Sequence, residues 1–97
     1  MSAAVWLAIH EFVEINPTGV RVIVRSHAGE LWRGTSVNLT DDDERVIAGP
    51  LTVEVMHRYA EVPVDLVDPI HVAMLTLTGP AGRAAAAATK VVGIPAP

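Results

Sequence analysis

The tetrapeptides "NPTG" (16–19) and "SHAG" (26–29) bracket a run from Val20 to Arg25, and this close spacing of turn signals constrains the fold more than any other feature. Asn16, Pro17 and Gly19 occupy the first, second and fourth positions preferred in a type I turn, and Ser26 with Gly29 repeats the pattern. The reading places Gly19 at φ > 0. Between the turns, Val20, Val22 and Val24 alternate with Arg21, Ile23 and Arg25 as a β-branched strand does. Residues 5–15 alternate in the same way on the N-terminal side, and Leu31, Arg33, Thr35, Val37 and Leu39 do so after the second turn. Three such runs joined by tight turns predict an antiparallel three-strand meander.

The remainder extends the β pattern. Thr40 and Asp43 form a candidate capping box within "TDDDERVIAGP", and Gly49-Pro50 would stop any helix early, so a short helical turn near 41–48 is expected. Residues 51–62 and 70–78 alternate as strands around a Pro-punctuated connection at Pro63 and Pro69. The tail from Arg83 contains five consecutive alanines, which favour helix, and then Val91, Val92 and Ile94, which favour extended chain. It reads either as a short helix or as a strand hairpinned onto 70–78. The expected protein is mainly β: a small antiparallel sandwich or barrel in residues 1–82, followed by an Ala/Pro-rich C-terminal arm in residues 83–97.

Two strands in this reading are apolar on both faces. In 5–15, Val5, Leu7, Ile9, Val13 and Ile15 lie opposite Trp6, Ala8 and Phe12, and 70–78 has the same property. With tight hairpins and no crossover helix to cover a second face, a second sheet, the tail or another chain must do so. Composition favours another chain for part of it, because 51% of the 97 residues are apolar and only 19% are charged. Large exposed apolar patches mark interfaces. The candidate interface residues are Trp6, Phe12, Trp32, Ile70, Val72, Leu75, Leu77, Val91, Val92 and Ile94.

Charge and composition bear on function mainly by exclusion. A formal charge of −4, without a basic cluster, argues against nucleic acid as partner. The absence of cysteine removes disulfides, thiolate metal sites and Cys nucleophiles. The N-terminus lacks the basic region of a signal peptide, and no segment is long and apolar enough to span a membrane. The expected location is cytoplasmic or within a virion.

No catalytic, cofactor or metal site is expected. Asp41, Asp42, Asp43 and Glu44 could offer oxygens to a divalent cation, but the spacing of a calcium loop is missing. His10 and Glu14 share a strand face, but at four residues' separation they stand about 13 Å apart, too far to cooperate. His57, Tyr59 and Glu61 also share a face, and His27 and His71 have no spacing partner. The glycines form no phosphate loop.

Small structural proteins of large assemblies share this profile, phage virion components among them: capsid decoration, head-to-tail connector and tail proteins. The expectation is therefore a non-enzymatic subunit of a symmetric assembly whose partners are copies of itself and other assembly proteins, with neither nucleic acid nor membrane. Two alternatives stand beside it. One is a small β-barrel that binds a ligand or catalyses a reaction through His10, His57 and Tyr59. The other is an adaptor that recruits a protein strand at a sheet edge.

Overall fold

The structure, a computed structural model, describes residues 5–58, 62–67 and 71–94. Nine strands and one 3-10 turn lie within these residues: β1 (Trp6–Asn16), β2 (Gly19–Ala28), β3 (Leu31–Trp32), β4 (Ser36–Thr40), β5 (Val46–Arg58), β6 (Val62–Val64), β7 (Leu66–Val67), β8 (Val72–Thr78), the 3-10 turn (Arg83–Ala87) and β9 (Lys90–Gly93). The fold is mainly β and antiparallel, as the turn spacing indicates. The main sheet runs β4-β9-β1-β2-β8-β5-β6, and β4 also pairs with β5. That additional pairing joins six of the strands into a closed ring, leaving β6 as an appendage on β5. Of the two architectures expected, the barrel is the one formed.

The first hairpin is present where the sequence places it. Asn16 pairs with Gly19 across Pro17 and Thr18, and the Asn16 Oδ1 accepts bonds from the Thr18 N–H at 3.1 Å and its hydroxyl at 3.0 Å. The meander stops there. The other neighbour of β2 is β8, through Gly19↔Thr78 to Arg25↔Val72. The expected third strand divides at Arg33 and Gly34, where φ reaches 92°. Its first part, β3, pairs with β7, and its second, β4, enters the ring between β5 and β9. The "SHAG" turn does not form either, since β2 runs on to Ala28 and the chain then leaves the barrel at Gly29 (φ 74°).

Two bulges in β1 account for its two apolar faces. Register shifts fall between Ile9 and Glu11 and between Phe12 and Glu14, and each extra residue reverses the alternation of side chains that follows. Val5, Leu7, Ile9, Phe12 and Ile15 consequently all join the core, although a strict period of two would divide them between faces. In β8 the alternation is regular: Ala73, Leu75 and Leu77 are buried while Val72 is exposed. The interior is completed by Val22, Val24, Val37, Leu39, Leu51, Val53, Met56 and Val91.

Both barrel ends are plugged from within the chain. The β3–β7 ribbon brings Leu31 and Val67 over one end, where both are buried. At the other end the 3-10 turn lies against both β1 and β5, strands on opposite sides of the ring, and buries Ala85. The tail is thus part of the barrel. After the 3-10 turn, β9 pairs with β1 (Trp6↔Val92 to Ala8↔Lys90) and with β4 (Val37↔Gly93 to Thr40↔Lys90). It does not hairpin onto 70–78, and residues 83–94 are not an arm. The expected helical turn near 41–48 is also replaced. Asp42 and Asp43 form a tight turn, and β5 begins at Val46 and continues through Gly49-Pro50.

Gly19 has no positive φ; it is required by close approach. A Cβ there would run into the backbone carbonyl of Leu77 on β8. Backbone in a barrel wall cannot retreat as a flexible side chain can, so Gly19→Val is expected to lower stability by roughly 2–4 kcal/mol. A thermal or urea melt checks this, and an unchanged midpoint would show that β2 and β8 have room to part.

Candidate functional site

The structure separates the residues proposed for chemistry. His10 lies on β1 and His57 on β5, strands three places apart in a six-strand ring and so on opposite sides of the barrel. Tyr59 and Glu61 lie outside the described residues. His10 is exposed, whereas His57 is half-buried with its Nδ1 enclosed and without a hydrogen-bond partner among the described residues. No group of three or more His, Asp or Glu residues converges as a metal site among the described residues.

The acidic turn is held together by its own carboxylates. Asp41 Oδ1 accepts the backbone N–H of Asp43 and of Arg45, each at 2.9 Å. Asp42 Oδ1 accepts the Thr89 hydroxyl at 2.7 Å, tying the turn to the residue before β9. Asp43 pairs with Arg45 at 3.2 Å on the exposed surface, and Glu44 takes a left-handed φ of 64°. Asp41→Ala leaves two N–H groups without this acceptor and is expected to cost about 1–3 kcal/mol. Asp41→Asn retains an acceptor oxygen and should restore most of the loss. Equal melting temperatures for the two variants would refute the capping role.

Nine of the ten candidate interface residues lie within the described residues, and they fall into three groups. Leu75, Leu77 and Val91 have 0% exposure and face the barrel interior; they are core, because the strand parity that places them inward leaves no route to a partner. Trp6, Phe12, Val92 and Ile94 are half-buried, with Phe12 packed against the core, while Trp32 and Val72 are exposed. Ile70 lies outside the described residues.

The sequence reading missed a cluster on the outer face of β2, β1 and β9. A register shift between Trp6 and Leu7 lets the partner residue jump from Ala28 to Ser26, so His27 is the bulged residue. Its imidazole stacks on the Trp6 indole with centroids 4.5 Å apart and planes 7° from parallel. From β9 the Lys90 Nζ lies over the same indole, 5.0 Å from the centroid. One row below, Ala8 pairs with Arg25 on one side and Lys90 on the other. Two cations and a histidine thus surround an indole and a small residue. His27 looks partnerless in the sequence because the bulge that re-aims it leaves no trace in the hydrophobic pattern.

A second outer feature is apolar. Val62 and Val64 of β6 and Val72 of β8 line a shallow groove beside Arg58, and among the described residues β6 is paired on one side, with β5. In comparison with known proteins, the chain matches no family model, no curated protein and no solved structure.

Proposed function

We propose that this protein is a non-enzymatic structural subunit of a symmetric assembly, of the kind that builds a phage virion as a capsid decoration, head-to-tail connector or tail component. One observation carries this reading. After the barrel has filled its interior and plugged both ends, large apolar side chains are still exposed: Val13 at 46%, Trp32 at 51%, Val46 at 59%, Val62 at 54% and Val72 at 42%. A barrel of six strands is too narrow for an internal ligand site once side chains fill it, so these outer surfaces are where recognition would take place. Copies of the chain and other assembly proteins are the proposed partners.

The adaptor reading retains one specific support, the edge of β6 that has no strand partner among the described residues, where an incoming strand could pair beside the valine groove. Pro63 at its centre lacks an N–H and limits that pairing.

Native mass measurement over a wide concentration range tests the assembly proposal. Species at whole multiples of 10.3 kDa are expected to grow with concentration. A monomer throughout overturns self-assembly.

A further inference from the structure

We infer that the cationic face around Trp6 is a contact surface for a second copy of this chain, and that its occupant is the acidic turn of that copy. This rests on the assembly reading and specifies one of its interfaces.

Charge is the first argument. Arg25 and His27 on β2 and Lys90 on β9 flank Trp6 of β1 from its two neighbouring strands, on a protein of net charge −4. Arg25 and Lys90 flank the same residue, Ala8, with their strands about 10 Å apart. Among the described residues neither Arg25 nor Lys90 belongs to an ion pair, since all pairs found there involve Arg33 or Arg45. Glu11, the nearest acid on β1, lies beyond the bulge at His10 and is likewise unpaired among the described residues. Two close cations without an anion between them favour an acidic occupant.

The second argument is the position of the chain's own acids. The turn of Asp41 to Glu44 follows Thr40, which pairs with Lys90, so it lies beside this face, and among the described residues none of its carboxylates forms an ion pair with Arg25 or Lys90. Asp42 is held on the Thr89 hydroxyl, Asp43 on Arg45, and the Lys90 ammonium turns to Trp6. Asp42, Asp43 and Glu44 are all exposed. Adjacent basic and acidic surfaces on one molecule are self-complementary about a two-fold axis: the turn of each copy meets the indole face of the other. Exposed partners of this kind are screened by salt.

The experiment is a charge swap read by sedimentation velocity and native mass, with thermal melts to confirm folding. One variant carries Arg25→Glu and Lys90→Glu; the other carries Asp43→Lys and Glu44→Lys. Each alone is expected to raise the dissociation constant of the self-complex by about ten-fold or more. Their equimolar mixture should restore a 1:1 complex, because every acidic face then meets a basic turn. Glu44→Lys by itself, at an exposed position whose side chain makes no bond in the turn, serves as the mildest variant and should weaken association alone. If the parent assembles and none of these substitutions changes it, this contact is overturned while the assembly reading stands. If the two folded variants fail to associate when mixed, the contact is likewise overturned. A parent that is monomeric at every concentration overturns both.

Discussion

Truncation after Gly82 is expected to leave the chain unfolded. The deletion removes β9, which supplies hydrogen bonds to β1 on one side and β4 on the other, and it opens the ring where those strands cannot meet. Val91 and Ala85, both at 0% exposure, leave the core with it, and Ala88 follows. A small domain is stable by only about 5–15 kcal/mol. Losing a barrel strand, a plugged end and a fully buried valine exceeds that margin. Circular dichroism and a thermal melt of residues 1–82 provide the check. A cooperative transition in the truncated chain would mean that β1 and β4 close without β9.

Gly79→Ala should be among the most damaging single substitutions. Gly79 has φ +145°, where L side chains are strained, and a Cβ there would stand 2.7 Å from the Pro50 carbonyl oxygen and 3.1 Å from the Leu51 Cα. Both neighbours are backbone of β5, and the Gly79 N–H is bonded to the Thr18 oxygen, so the residue is held between β5 and the first hairpin. Strain and overpacking together are expected to cost about 3–5 kcal/mol. Gly82→Ala is the control. Gly82 also has a positive φ, of +97°, but a Cβ there meets nothing within 4 Å, so only the conformational part, about 1–2 kcal/mol, should be lost. Equal losses at the two glycines would remove the steric argument.

The antiparallel β class and the first hairpin were legible because their signals are local. Asn16 and Gly19 identify the turn, and Val20, Val22 and Val24 mark the inward face of β2, all buried. The partners of β4 and β9 were not legible, since pairing over long sequence separations depends on the whole ring. Gly49-Pro50 misled in a different way. The pair signals a break, but β5 continues through it with a register shift against β4, and a Cβ on Gly49 (φ +130°) would run into Asn38 and Val37 of β4. The bulges at His10 and Val13 had the largest effect on the functional reading. They turn Phe12 toward the core and bring Ile15 back to the same side, so most of the apolar excess of 5–15 is met within the chain. The case for assembly rests instead on Val13, Trp32, Val46, Val62 and Val72. The Trp6, His27 and Lys90 cluster depends on a third bulge and could not be read from spacing.

The position of β9 also shapes the order of events during synthesis. Trp6 pairs with Val92, nearly the full described chain apart, and this contact cannot form until β9 has left the ribosome. Until then β1 and β4 each present an unpaired edge, the state in which β proteins are most prone to join one another wrongly. Asp41, Asp42 and Asp43 place like charge at the end of β4, which disfavours pairing between two such edges. The finished barrel removes both edges with one strand, since β9 covers Trp6–Ala8 of β1 and Val37–Thr40 of β4 together.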